Sequence, residues 1–137
     1  MITCLIVDDE LHARERIFRV VQQRYGWDII GQAAEYDEAK SLFLTAQPKV
    51  CFLDVNIIGG SGISLIRELK HIAVCKWVIM SAHSEYAIDG YNVEVEDFLL
   101  KPIDSMRLEK VLLKIESYYA NEMYHQLNNE QDCLSDW

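Results

Sequence analysis

Long apolar runs are missing from this 137-residue sequence. The longest, such as Thr3 to Val7 and Val50 to Leu53, fall far below the roughly 20 residues that span a bilayer, so no membrane span is expected. The first residues lack the basic start and extended apolar stretch of a secretory signal, which leaves the cytoplasm as the expected location. The four cysteines (Cys4, Cys51, Cys75 and Cys133) form no C-x-x-C pair, and the first three sit in or beside apolar runs. Reduced thiols are small hydrophobes in such places, and disulfides are rare in that compartment. Basic charge is scarce as well: 13 Lys and Arg against 22 Asp and Glu leave a net charge of −9. That is the wrong sign for gripping a phosphate backbone, so direct nucleic-acid binding by this domain is not expected. No internal repeat is visible.

What is present is alternation. Short β-branched runs, Ile2 to Val7, Asp28 to Ala33, Val50 to Leu53, Trp77 to Met80 and Asp97 to Leu100, are separated by stretches with helical spacing. Five such units predict one α/β domain, a (βα)5 doubly wound parallel five-stranded sheet covered on both faces. The first helix is predicted over Leu11 to Tyr25, with Ile17, Val20 and Val21 on one face and Gly26 ending it. The second has Asp37 as its cap, a stripe of Ala39, Leu42, Phe43 and Ala46, and Pro48 as its stop. Leu65, Ile66, Leu69 and Ile72 mark a third helix after the turn at Gly59, Gly60 and Gly62. The fourth is short, Glu85 to Tyr91, and interrupted by Gly90. The last starts after Pro102 with Asp104 or Ser105 as cap, and Leu108, Val111, Leu112, Ile115 and Tyr119 form its stripe towards Leu127. From Asn121 to Trp137 there are four acidic residues and no Lys or Arg, so residues 121–137 read as a frayed acidic extension or the start of a linker.

In open doubly wound sheets, ligands bind beyond the carboxyl ends of the strands. Those ends carry Asp8-Asp9, Asp54, Ser81 and Lys101-Pro102. Each signal is weak alone, since acids suit helix starts and Asp and Ser are common turn residues. Their coincidence on one edge points to phosphoryl chemistry. Three gathered carboxylates raise one another's pKa unless a cation offsets them, and Mg²⁺ suits oxygen ligands while keeping several waters. Two carboxylates and a backbone carbonyl would suffice. Asp54 is then the nucleophile that forms an acyl phosphate, with Lys101 stabilising the transferring charge and Ser81 donating a hydrogen bond to it.

Four segments, Ile6-Val7-Asp8-Asp9-Glu10, Phe52-Leu53-Asp54, Met80-Ser81-Ala82 and Phe98-Leu99-Leu100-Lys101-Pro102, resemble the signature segments of response-regulator receiver domains of two-component systems. The resemblance covers about residues 1 to 120 and implies the flavodoxin-like receiver fold. It also implies Asp54 as phosphoacceptor for a sensor histidine kinase, with Mg²⁺ held by Asp9 and Asp54, Asp8 nearby or through water, and the Asn56 carbonyl as a further ligand. Ser81 would be the switch hydroxyl, Phe98 the switch aromatic, and the Lys101-Pro102 bond cis. The surface that changes would be the fourth helix, fifth strand and fifth helix, where homodimerisation is a family-based expectation. Asn56 and His83 would flank the attacking water and influence dephosphorylation. Glu85-Tyr86-Ala87 and Asp97 to Pro102 are also similar to receivers joined to LytTR-type DNA-binding domains, so transcription regulation through a domain or partner outside this sequence is the expected output. Such a protein is not an enzyme on external substrates.

One departure stands out. The family usually carries a proline four residues after its acceptor, where this chain has Ile58 followed by Gly59-Gly60, and two glycines loosen a loop. Metal affinity and phosphoryl lifetime depend on that loop. Two alternatives stay open: an unphosphorylated interaction module of the same fold, and a phosphatase of the haloacid-dehalogenase type. The latter calls for a second acid two residues after the nucleophile, where Asn56 stands. A dinucleotide or flavin site is not expected, because acids and no glycine-rich cradle follow the first strand.

Overall fold

The computed structural model describes residues 1–135, with side chains through Asn129. Its main sheet contains β1 (Ile2–Val7), β2 (Trp27–Ala33), β3 (Val50–Asp54), β6 (Lys76–Ser81) and β7 (Asp97–Leu100). All pairs are parallel, in the order β2-β1-β3-β6-β7. The helices are α1 (Leu11–Gln22), α2 (Tyr36–Ala46), α3 (Gly62–Leu69), α4 (Tyr86–Asn92) and α5 (Ser105–Ser135). A two-stranded antiparallel hairpin, β4 (Asn56–Ile57) with β5 (Gly60–Ser61), lies between β3 and α3. The expected doubly wound sheet is therefore present.

Strand periodicity explains why both faces are dry. Successive side chains point to opposite faces, so Cys4, Ile6, Val50, Phe52, Val78 and Met80 pack with α1 and α5 through Ile17, Val21, Leu108, Val111, Leu112 and Ile115. Leu5, Val7, Cys51, Leu53, Trp77 and Ile79 pack with α2, α3 and the residue that follows α4 through Phe43, Ile63, Ile66, Leu69 and Val93. Phe43 stacks on Trp77, ring centroids 5.1 Å apart. Cys4 and Cys51 are buried reduced thiols, whose ionisation burial suppresses. Cys133 lies outside the described side chains.

Several boundaries differ from expectation for local reasons. α1 ends at Gln22, and Gly26 serves the following turn at φ +88°, where its carbonyl accepts from the Ile2 amide. α2 starts one residue before Asp37, with Glu35 at its N-cap position, and ends before Gln47 in a left-handed conformation. α3 is capped by the Ser61 hydroxyl, which accepts from the Ile63 amide, and stops before Ile72, which is exposed. α4 runs through Gly90 without a break. A Cβ there would strike Ile79 and lie 3.2 Å from Val95 Cγ2, so this glycine lets α4 press onto the sheet.

Asp104 caps α5 by accepting from the Met106 amide at 3.1 Å. The helix then continues well beyond the sheet, to Ser135, about 46 Å at 1.5 Å per residue. Among the described side chains beyond Tyr119, nearly all are exposed. No described helix is long and apolar enough to cross a membrane.

The Phe43 and Trp77 stack ties α2 to β6. Phe43→Ala is expected to lower the unfolding free energy by about 3–5 kcal/mol, read as a reduced midpoint in urea unfolding.

Candidate metal and phosphoryl site

Asp8, Asp54, Ser81 and Lys101 converge at the carboxyl edge of the sheet because neighbouring parallel strands end at the same level. Val7 pairs with Leu53, Asp54 with Met80, and Ser81 with Leu100. Strands β3 and β6 each run one residue past the predicted end, so Asp54 and Ser81 are the last residues of their strands. That places both on stiff backbone. The Asp8 amide is held by the Ala33 carbonyl, and the Lys101 amide by the Ser81 carbonyl at 2.7 Å.

Lys101 Nζ lies 2.6 Å from Asp54 Oδ2 and 2.7 Å from Asp8 Oδ2. Asp8 is fully buried, and Asp54 and Ser81 nearly so. Asp8 Oδ1 accepts from the Glu10 amide at 2.9 Å, and the Asp8 carbonyl accepts from Arg14 Nη1 at 2.6 Å. The other Asp54 oxygen, Oδ1, accepts from the Asn56 amide at 3.0 Å. Ser81 Oγ accepts from the His83 amide at 3.0 Å.

Burial raises the Asp8 pKa, and the Asp54 charge adds to this. The Lys101 ammonium and the Glu10 amide pull the other way without cancelling it. For Lys101, burial alone is depressing, but Asp54 and then Asp8 outweigh it and leave its pKa raised.

Carboxylate oxygens of Asp8, Asp9 and Asp54 come within 4.8 Å of one another. Asp9 is exposed, so one side of the group opens to solvent. Asp8 Oδ2 is buried, and its approach to Lys101 is an ion contact that leaves it without a well-formed hydrogen bond. An all-oxygen set of three clustered carboxylates, open to solvent on one side, fits a hard divalent cation. The residues present can therefore hold a metal.

The remaining expected residues lie around this group. The Lys101-Pro102 bond is cis. His83 is exposed, with Nδ1 3.8 Å from Glu85 Oε1 and its ring edge-on to Tyr86. Phe98 is half-buried on β7 opposite Ile79, against the α2, α3 and α4 layer. Asn56 begins the β4–β5 hairpin, which is an ordered structure where two glycines suggested a loose loop. Gly59 turns it at φ +88°.

Three contributors were not read from the sequence. Arg14 reaches back six residues to the Asp8 carbonyl. Gly62 has no room for a side chain, because a Cβ there would fall on the Asp54 carbonyl oxygen and 3.0 Å from Leu53 Cγ. The contact between Tyr36 and the hairpin joins the start of α2 to a turn distant in sequence. Only Gly62 left a trace, as a glycine opening a helix.

The fold and these residues define an α/β protein with a strand-edge carboxylate and lysine site. A model of the response regulator receiver domain matches residues 4–113, and the chain belongs to that family. It is 40% identical over 115 residues to an uncharacterized response regulatory protein of Shewanella oneidensis, covering 84% of this chain and 49% of that protein. It is 33% identical over 134 residues to the transcriptional regulatory protein BtsR of Escherichia coli K12, covering 98% of this chain and 56% of that one. The REC domain of the response regulator AraT from Geobacillus stearothermophilus has the same fold, with TM-score 0.84, 26% identity, and coverage of 90% of this chain and 99% of that one. The chain thus spans about half the length of the curated relatives it matches.

The native state holds the Asp8 proton more tightly than the unfolded chain does. In metal-free protein this costs stability as pH rises from the ordinary Asp value through the raised Asp8 value. Carboxyl-carbon NMR titration should show the Asp8 midpoint falling in Asp54→Asn, where a like charge is removed, and rising in Lys101→Met, where the compensating cation is lost. Unmoved midpoints would show that the three groups are not coupled.

Proposed function

We propose that this receiver is a phosphorylation switch in which Asp54 accepts a phosphoryl group, in a Mg²⁺-dependent reaction, from a sensor histidine kinase or a small phosphodonor. The observation that carries the reading is Lys101 Nζ held against Asp54 and Asp8 in a nearly buried site. Asp9, Asp54 and the Asn56 carbonyl would hold the ion, with Asp8 nearby or through water. When bound, Mg²⁺ supplies positive charge that offsets the carboxylates and the transferring phosphoryl oxygens.

An Asp54 carboxylate oxygen attacks phosphorus, and the bond from phosphorus to the donor's imidazole nitrogen or acyl oxygen breaks. The leaving group departs with the bonding electrons and, for imidazole, takes up a proton. Lys101 stabilises the oxygens' charge, and the Ser81 hydroxyl donates to one of them. The reverse demand falls on hydrolysis, where Asn56 and His83 influence the attacking water. The domain catalyses only these two steps on itself.

Movement of Ser81 towards the phosphoryl group lets Phe98 turn inward, altering the face made by α4, β7 and α5. Ile88, Tyr91, Leu100 and Met106 are exposed there, which supports homodimerisation through that face. Residues 1–120 act as the receiver, and residues 121–137 serve as an acidic extension or the start of a linker. Likeness to a transcriptional regulatory protein supports transcription as the output, exerted by another domain or partner in the cytoplasm, since a domain of net charge −9 is ill suited to holding nucleic acid itself.

Intact mass after incubation with acetyl phosphate and Mg²⁺ should show one added phosphoryl group, absent in Asp54→Ala and in chelator. Lys101→Met should slow its appearance by about 10²–10³-fold, the usual effect of losing one charge-stabilising donor. No gain in a folded protein that also fails to bind Mg²⁺ would favour the unphosphorylated interaction module. Once formed, the phosphoryl group should decay at altered rates in Asn56→Ala and His83→Ala, and unchanged rates would remove both from the hydrolytic step.

A further inference from the structure

The hairpin after Asp54 is clasped from outside by the start of α2. The Tyr36 amide donates to the Ile58 carbonyl at 2.8 Å, and the Ile58 amide donates to the Ala34 carbonyl at 3.3 Å. Glu35 and Ile58 form a parallel bridge. The Tyr36 ring lies against Gly60, so close that a Cβ on Gly60 would come within 2.6 Å of Tyr36 Cδ2 and 3.1 Å of Cε2. At the far side of the ring, the Tyr36 hydroxyl donates to Glu68 Oε2 on α3 at 2.6 Å, and Lys40 pairs with the other Glu68 oxygen. The ring is thus fixed at both ends.

This clasp leads to the acceptor in few steps. Gly60 pairs with Ile57 and Ser61 with Asn56, and the Asn56 amide donates to Asp54 Oδ1. We propose that Tyr36 is a positioning residue for the acceptor site: its ring on Gly60, anchored through Glu68, sets where the hairpin holds Asn56 against Asp54, and thereby the metal affinity and phosphoryl lifetime of the domain. The inference rests on the phosphoacceptor reading above. It also accounts for the two glycines. Gly59 makes the turn, Gly60 admits the ring, and the stiffness that a proline would build into the segment comes instead from a side chain outside it.

The test uses the full chain with Tyr36→Ala, Tyr36→Phe, Gly60→Ala and the double variant Tyr36→Ala/Gly60→Ala. Three quantities are read: amide hydrogen exchange at Asn56 in metal-free protein, Mg²⁺ affinity by calorimetry, and decay of the phosphoryl group. Tyr36→Ala should speed exchange at Asn56 while leaving the amides of β1 and β3 at wild-type rates. It should weaken Mg²⁺ binding by about 10–100-fold, the usual range for losing a group that orients metal ligands. Tyr36→Phe, which keeps the ring on Gly60 but loses its tie to Glu68, should fall between wild type and Tyr36→Ala.

Gly60→Ala should reproduce Tyr36→Ala, because its methyl displaces the ring, yet should add little in the double variant, where no ring remains to be displaced. Wild-type exchange and affinity in Tyr36→Ala would overturn the proposal. So would loosening spread evenly over β1 and β3, which would make the residue merely structural. A wild-type protein that neither binds Mg²⁺ nor gains a phosphoryl group would refute the proposed function itself, while Asn56 exchange would still decide whether Tyr36 positions the hairpin.

Discussion

The ion contact of Lys101 with Asp8 and Asp54 is the constraint around which the carboxyl edge of this domain is organised. Two acids in a nearly water-free setting repel each other and resist ionisation, and a buried ammonium is equally unfavourable alone. Each group makes the others tolerable. The arrangement is still short of full compensation, since Asp8 keeps an oxygen without a well-formed hydrogen bond. With Asp9 beside them, these carboxylates form a group that can hold a further cation.

Holding these charges in place demands rigidity, and the sheet supplies it. Asp54 ends the central strand β3, flanked on both sides by parallel partners, and Lys101 follows β7 with its amide tied to the Ser81 carbonyl. The apolar layers beneath are indifferent to phosphoryl chemistry, yet they set the strand levels that make three separated segments meet. The hairpin after Asp54 extends the same logic to a loop. Its backbone is bonded to the β2–α2 connection and overlaid by Tyr36, so a segment with two glycines is braced by its neighbours.

The helical extension poses a different balance. The α5 stripe of Leu108, Val111, Leu112 and Ile115 is spent on the sheet, and beyond Tyr119 the exposed face carries Met123, Tyr124 and Leu127. A helix so placed draws little stability from tertiary packing, which is the main source for most helices.

Period and punctuation alone determined the βα alternation, the class of fold and the five strands to within a residue or so, because strand and helix periodicities are local and strong. That Asp54, its acidic neighbours and the lysine meet was also legible, since in a parallel sheet every strand's carboxyl end must fall on one edge. Tertiary structure alone decided the rest. The tie from Arg14 to the Asp8 carbonyl depends on how α1 lies against its own strand, and Gly90 could be told from a helix breaker only once Ile79 was seen beneath it. The loop after Asp54 read as loose because its own residues are permissive. Its order comes from Tyr36 and Ala34, which lie more than twenty residues earlier and meet it only when β2 has paired with β1.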